Sequence, residues 1–169
     1  DFIRPMVLVD FGYLSVTVSC VENGCVTYVG IVPYGGGHIT ADLALEMGVT
    51  LEAAEKIKRR YVFGLDLSNA RMNSISLEDR GMLRMLPLPT VQRVVETRLQ
   101  EIAGQIGEQI DAMGLPSFDQ SPVYLTGGGI ALMRGAKDYL AGRLGMQVRT
   151  LPTKSPRLTS PAYAAVVSV

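Results

Sequence analysis

The stretch MVLVDFGYLSVTVSCVENGCVTYVGIV, residues 6–32, predicts three consecutive β-strands in an antiparallel meander. Asn23-Gly24 is a two-residue hairpin signal, and Pro33 ends the third strand. The middle of the stretch alternates between polar and apolar residues, and its predicted apolar face carries Leu14, Val16, Val18 and Cys20. We therefore expect the fold to begin with a sheet that buries one face.

The two cysteines, Cys20 and Cys25, flank the Asn-Gly turn. In a two-residue turn Cys25 pairs with Glu22 and Cys20 pairs with Thr27, so the two sulfurs are diagonal neighbours. This placement disfavours a disulfide, and a CxxxxC spacing without further Cys or His ligands disfavours a metal site. We expect two free thiols at strand positions.

Residues 35–64 predict two helices. Thr40 is predicted as the N-cap of a short helix that Gly48 ends, and Thr50 as the N-cap of a second helix. The predicted buried side of the second helix carries Leu51, Ala54, Ile57 and Tyr61, and its polar side carries Glu55, Lys58 and Arg59.

A hairpin around Asp79-Arg80-Gly81 and a long helix from about Pro89 to Gly114 are predicted next. Gly104 and Gly107 weaken this helix, so we expect close packing to explain them. The apolar stripe of the long helix is Val91, Val94, Val95, Leu99, Ile102, Ile106, Ile110 and Met113.

The last part of the chain predicts a strand–helix–strand–helix order. VYLTGGG (123–129) is a buried strand that enters a turn, and residues 131–145, 146–151 and 162–169 are a helix, a strand and a last helix. The early meander and this β-α-β unit share one mixed sheet in an α/β architecture. We expect residues 1–34 and 115–169 to form a core subdomain, with 35–114 inserted as a smaller, mostly helical one.

Composition excludes several classes of function. Lys+Arg and Asp+Glu both number 16, so the net charge is zero. The chain lacks the basic excess that is expected of a protein that binds nucleic acid. No apolar run reaches the roughly 18 residues of a membrane span, and residues 1–10 do not follow the order of a signal peptide. Because no initiator Met precedes the first strand, we expect the chain to be part of a longer protein.

The glycine turn at 127–129 is open to more than one interpretation. A dinucleotide fingerprint needs a third glycine where Leu132 stands and an acid after the next strand, and a P-loop needs a G-K-[ST] that is missing. Two alternatives remain: a tight structural turn, or a backbone surface that a base or ribose-phosphate approaches closely.

Four segments together resemble a known family. VLVDFGYLSVTV (7–18), followed later by the strand–glycine–helix turn, resembles the second lobe of the actin-like ATPase superfamily. Over nearly its whole length the chain is similar to the bacterial cell-division proteins called FtsA. This similarity rests on residues 32–62, 94–102, 123–135 and 160–169. It implies an α/β, actin-like (ribonuclease H-like) lobe with a mixed sheet and a small, mostly helical subdomain.

The resemblance also implies ATP and Mg²⁺, and no catalytic residue is assigned. Tyr13 and Leu14 stand where the family has glycine, and bulky side chains there crowd a backbone–phosphate contact. We expect His38 to be a turn residue rather than a ligand. The implied nucleotide residues are Asp10 (also the metal ligand), Gly12 and Ser15 at the phosphates, Gly127, Gly128 and Gly129 under the adenosine, and Glu55, Lys58 and Arg59 at the ribose and base.

The resemblance implies the C-terminal half of a protein that binds ATP, polymerises and links the tubulin-like division ring to the cytoplasmic face of the cell membrane. The expected partners are the tubulin-like protein FtsZ, further copies of the protein in filaments, and other division proteins. Arg98 and Glu101, on the polar face of the long helix, are candidates for the FtsZ contact. The amphipathic membrane anchor of the family has no counterpart here, so we expect membrane contact from outside this chain.

Two other interpretations differ in class. The chain is alternatively part of a degenerate actin-like scaffold without nucleotide function, such as the pilus-assembly protein PilM. A small-molecule kinase of the same superfamily is the third interpretation, and no residue of this sequence supports it. One lobe alone does not complete a phosphoryl-transfer site, since that chemistry needs positioning groups from both sides of the cleft.

Overall fold

The computed structural model describes residues 5–64, 73–115, 121–130 and 133–151. None of the helices in these ranges is long and apolar enough to cross a membrane. In chain order the elements are β1 (Met6–Phe11), β2 (Val16–Glu22), β3 (Cys25–Val32), α1 (Gly36–Met47), α2 (Leu51–Arg60), β4 (Ser74–Asp79), β5 (Met82–Pro87), α3 (Leu88–Ala112), β6 (Val123–Thr126), α4 (Ala136–Leu144) and β7 (Val148–Thr150).

The predicted mixed sheet is confirmed. Its strand order is β3-β2-β1-β6-β7, with β1–β2 and β2–β3 antiparallel and β1–β6 and β6–β7 parallel. The predicted hairpin β4–β5 forms a separate two-stranded sheet. The long helix α3 packs against β2, β3 and α4, while α1 packs against both α2 and α3. The carboxyl end of β1 therefore lies between its neighbours β2 and β6, close to the start of α1.

The apolar stripe of α3 is confirmed, because its members from Val91 to Ile110 are buried in one core with the sheet. The expected close packing at the α3 glycines is wrong. A Cβ atom at Gly104 would meet nothing within 4 Å, and one at Gly107 would meet only Leu144 Cδ2 at 3.9 Å. These glycines lie where the helix surface is open.

The two glycine hairpin turns are confirmed in detail. Asn23 and Gly24 have φ of 51° and 77°, and Arg80 and Gly81 have φ of 52° and 75°. Such positive φ values match the twist of paired strands. Cys25 pairs with Glu22 as expected, but Cys20 pairs with Tyr28 instead of Thr27. A register shift between Cys20 and Val21 inserts one residue, as in a β-bulge, and so moves the pairing.

Three placements of side chains differ from the sequence prediction. Leu14 is 71% exposed, because β2 begins only at Val16 and Leu14 lies in the hairpin loop before it. Leu51 is 58% exposed, since it lies at the edge of the stripe that α2 buries. Thr40 lies inside α1, which begins at Gly36, and so it does not cap that helix. The capping role of Thr50 is confirmed, because its side chain accepts the Ala53 N–H.

The C-terminal elements are shorter than predicted. Helix α4 begins at Ala136 rather than at residue 131, since Gly135 has a φ of +81° that interrupts a right-handed helix. The last predicted helix, residues 162–169, lies outside the described residues. The division into 1–34 with 115–169 and an inserted 35–114 stays a prediction.

Two leucines of opposite exposure test the core. Leu99 is fully buried in α3, whereas Leu45 on α1 is 86% exposed. We expect Leu99→Ala to lower the free energy of unfolding by about 2–5 kcal/mol, because it removes buried methyl groups and leaves a cavity. Leu45→Ala changes it by less than about 0.5 kcal/mol. Urea unfolding followed by circular dichroism measures both, and equal effects of the two changes would contradict this core.

Candidate functional site

Three glycine segments of the chain meet directly through their backbones. They are the tip of the β1–β2 hairpin, the start of α1 and the turn after β6. Gly129 N donates to Phe11 O at 2.8 Å, and Gly36 N donates to Gly12 O at 3.0 Å. Gly37 N donates to Tyr13 O at 2.7 Å. We call this meeting point the glycine junction, formed by Gly12, residues 35–37 and residues 127–129.

No side chain fits at the centre of the glycine junction. A Cβ atom at Gly129 would collide with the carbonyl oxygen of Gly12, and one at Gly36 would collide with the carbonyl oxygen of Gly129. Gly127 has a φ of +92°, and its Cβ would lie 2.5 Å from Asp10 Oδ1. Internal packing is therefore a sufficient physical reason for the glycines at 127 and 129.

Helix α2 contributes a buried charged network to the edge of the junction. Lys58 is only 2% exposed, and its Nζ donates to Gly36 O and to Thr40 Oγ1, both at 3.0 Å. The third contact of Nζ is an ion pair with Glu55 Oε2 at 2.7 Å. The Thr40 hydroxyl in turn donates to Glu55 Oε2 at 2.6 Å. All three ammonium protons of Lys58 thus have partners inside the protein.

Burial and pairing shift both titratable groups of this network. Burial lowers the pKa of Lys58, and the hydrogen bond to Glu55 opposes part of that shift. Burial also raises the pKa of Glu55, but hydrogen bonds from Lys58 and Thr40 outweigh it and hold that pKa below its usual value. Glu55 is therefore ionised at neutral pH and supplies the countercharge that a buried ammonium group requires.

The structure brings the predicted site segments together. The Asp10 carboxylate lies against Gly127, and Gly12 N donates to Ser15 O at 3.0 Å across the hairpin. The Tyr13 ring lies below α2, with its centroid 5.6 Å from Lys58 Nζ. The remaining members are Arg59, 61% exposed and paired with Glu55 at 2.9 Å, and Gly128, which is exposed. The nucleotide roles of all these residues stay predictions.

Sequence reasoning missed the role of Thr40 and placed Lys58 on a polar helix face. The four-residue spacing from Gly36 to Thr40, one helical turn, was the available signal, but it became useful only with α1 beginning at Gly36. His38 lies in the first turn of α1, where its Nδ1 accepts the Gly35 N–H at 3.1 Å. In the described ranges no group of three or more His, Cys, Asp or Glu side chains is arranged to hold a metal ion.

A second polar feature is the groove between α1 and α3. Arg98 Nε and one terminal nitrogen donate to Asp42 at 2.6 and 3.2 Å, and the other terminal nitrogen donates to Glu101 at 2.7 Å. The hydrogen bond to Asp42 is the main cause that raises the pKa of Arg98. The groove is lined by Asp42, Leu45, Glu46, Arg93, Val94, Thr97, Arg98 and Glu101.

Comparison with protein-family models identifies the family of this chain. The family model described as "Cell division protein FtsA" matches residues 7–168, nearly the whole chain. The chain belongs to the FtsA family. The FtsA protein of Bacillus subtilis (strain 168) is 25% identical over 164 residues, which are 94% of this chain and 34% of that protein. The FtsA of Neisseria meningitidis serogroup B is 22% identical over 180 residues, 96% of this chain and 41% of that protein.

The FtsA-family chain thus spans less than half the length of these curated relatives. Among solved structures, the ethanolamine utilization protein EutJ of Carboxydothermus hydrogenoformans has a TM-score of 0.61 and 26% identity over 98% of this chain and 49% of its own. MreB 5 of Spiroplasma citri, bound to AMPPNP, has a TM-score of 0.69 and 16% identity over 88% of this chain and 48% of its own. These likenesses confirm the actin-like fold.

Several donors beside the hairpin that the resemblance assigns to the phosphates are already bonded within the FtsA-family chain. Backbone N–H groups at a helix N-terminus are natural phosphate donors. At the start of α1, however, Gly36 and Gly37 donate to carbonyl oxygens of the hairpin. Lys58 has no proton left to donate, as described above. The amides of Gly36 and Gly37 and the ammonium group of Lys58 are therefore committed to the protein itself.

Two Glu–Lys pairs on α2 test the buried network. We expect Glu55→Gln to lower the free energy of unfolding by about 1–3 kcal/mol at pH 7, because buried Lys58 loses its countercharge. Glu52→Gln is the matched control, because the Glu52–Lys56 pair is solvent-exposed, with side-chain exposures of 79% and 55%, and it leaves stability unchanged.

The same comparison has a defined pH dependence. The pKa of Glu55 is lower in the folded than in the unfolded protein. The ionised carboxylate therefore stabilises the fold at pH values above its usual pKa of 4.5, and this stabilisation is lost as the pH falls through the folded pKa. The difference between wild type and Glu55→Gln should therefore shrink below about pH 4.5. Urea midpoints measured across this range check it, and a difference independent of pH argues against an ionised Glu55.

The glycine junction is tested by adding one methyl group. Gly129→Ala should lower the free energy of unfolding by about 1–3 kcal/mol or more, because the new Cβ meets the rigid Gly12 carbonyl. Gly104→Ala is the control: its Cβ enters open space on α3, and helix propensity predicts a gain of up to about 1 kcal/mol. Thermal and urea unfolding give both values. A Gly129→Ala protein as stable as wild type would rule out the packed junction.

Proposed function

We propose that this chain is the C-terminal lobe of an FtsA-like cell-division protein that self-associates into filaments and links the tubulin-like division ring to the cytoplasmic face of the cell membrane. The match of the FtsA family model to residues 7–168 is the observation that carries this proposal. In this role the lobe works by binding partners, and no catalytic group is assigned to it. The family resemblance also implies nucleotide binding by the whole protein, but this proposal does not depend on it.

The α1–α3 groove is the proposed contact for the tail of the tubulin-like partner FtsZ. It combines charged groups of both signs with the exposed apolar side chain of Leu45. Arg98 is held in one position by Asp42 and by the Tyr34 ring, 5.5 Å from its guanidinium carbon. A preorganised guanidinium loses less conformational entropy on binding than a free side chain. Glu101 is paired with Arg98 at 2.7 Å and is 46% exposed, so part of its carboxylate still faces solvent, where a cationic group of a peptide could reach it.

The pilus-assembly alternative receives less support. A chain of the PilM–PilN type IV pilus biogenesis complex has a TM-score of 0.69, but its 18% identity over 96% of this chain and 44% of its own shows the fold alone. The family model, by contrast, matches a cell-division family along almost the entire sequence. We therefore place this chain in cell division rather than in pilus assembly.

The proposed partner contact is tested with a peptide of the FtsZ tail. We expect Arg98→Ala and Glu101→Ala in the full-length protein each to weaken peptide affinity about tenfold, in line with loss of a buried charged contact. Arg149→Ala on β7 is the control, because Arg149 bonds to Gln147 and lies away from the groove. Fluorescence anisotropy of a labelled peptide measures affinity. Wild-type affinity in both groove variants would remove these residues from the contact.

A further inference from the structure

The tip of the β1–β2 hairpin differs from the tight hairpin turns at Asn23-Gly24 and Arg80-Gly81. Phe11 pairs with Val16, and four residues connect them; Gly12 N donates to Ser15 O, so Tyr13 and Leu14 lie at the tip. Neither residue has a positive φ, whereas the loops at Asn23-Gly24 and Arg80-Gly81 have positive φ throughout. The backbone shape of the first hairpin is thus one that large side chains tolerate, and glycine is not needed there.

This hairpin tip is fastened to the start of α1. The carbonyl oxygens of Gly12 and Tyr13 accept the N–H groups of Gly36 and Gly37. These amides lie in the first turn of a twelve-residue helix, where a backbone donor and the helix dipole both favour an acceptor. The hairpin carbonyls therefore take the position that an anion would take at this helix end.

The side chain of Tyr13 packs against the start of α1 and beneath α2. Its ring lies so close to Gly37 that a Cβ atom there would be 2.5 Å from Tyr13 Cε1. The Nζ of Lys58 lies 5.6 Å from the ring centroid on the α2 side. The ring thus lies between the hairpin and α2, the two elements that the family resemblance assigns to phosphate and ribose. Its 53% exposure places its outer edge in solvent, and its inner face covers the glycine segment.

We propose that Tyr13 substitutes for the nucleotide phosphates in this lobe. Its ring packs on Gly37 and beneath Lys58, while its carbonyl oxygen caps α1, so the lobe is held together without ATP. The lobe then keeps its actin-like fold without a bound nucleotide. This inference concerns the hairpin and not the α1–α3 groove, so it is tested separately from the proposed partner function.

The experiment compares nucleotide binding by full-length wild type, Tyr13→Gly, Tyr13→Phe and Leu14→Gly. Isothermal titration with MgATP should show no saturable binding by wild type up to about 1 mM. Tyr13→Gly opens the space and should bind at least about tenfold more tightly, with a melting temperature that MgATP raises. Tyr13→Phe keeps the ring and should gain no affinity. Leu14→Gly matches the added loop flexibility but removes a side chain that is 71% exposed, so it should gain much less than Tyr13→Gly.

Three results would overturn the proposal. Wild type binding MgATP with a Kd below about 100 μM shows that the ring does not exclude phosphate. Equal absence of binding in wild type and Tyr13→Gly shows that the ring is not the obstacle. A gain in Leu14→Gly equal to that in Tyr13→Gly assigns the effect to backbone flexibility. Should Tyr13→Gly fail to fold, Tyr13→Ser and the wild-type titration decide, and FtsZ-tail affinity in the same proteins reports the partner function independently.

Discussion

The close approach of three backbones at the glycine junction is the constraint on which the arrangement of this lobe depends. The hairpin tip after β1, the start of α1 and the turn after β6 touch without a side chain between them. Because β1 lies in the sheet between β2 and β6, this contact fixes where the sheet edge meets the helical layer. Any Cβ at Gly36 or Gly129 must push two elements apart, so the junction sets the distance between them.

Buried side chains attach the remaining helices to the glycine junction and to the sheet. Lys58 reaches from α2 to the Gly36 carbonyl, and Glu55 and Thr40 satisfy the rest of its charge and protons. A buried ammonium group is costly unless it is fully paired, and therefore these partners tie α2 to the start of α1. Helix α3 closes the core from the other side, since its apolar stripe packs on β2 and β3.

Local spacing and turn residues were sufficient to predict the meander, both glycine hairpins and the stripe of α3. The mixed sheet joins β1 to the distant β6, and the order of strands and helices along the chain predicted it. The misplaced residues depend instead on contacts between distant segments. Thr40 has the chemistry of a cap, and only the packing of α2 on α1 makes it part of a buried network. The bulge after Cys20 and the exposure of Gly104 likewise leave no local pattern.

The glycines that carry the family resemblance are weaker indicators of a ligand than they first appear. Gly127 and Gly129 are required by the neighbouring backbone whether or not a nucleotide binds, so their presence reports the fold. The side chains at the hairpin tip are under no such requirement, because their loop has ordinary negative φ values. Residues that backbone packing does not require to be glycine are therefore better indicators of whether a ligand binds. In this chain those residues are Tyr13 and Leu14, and the Tyr13 ring packs against Gly37 on the side of α2.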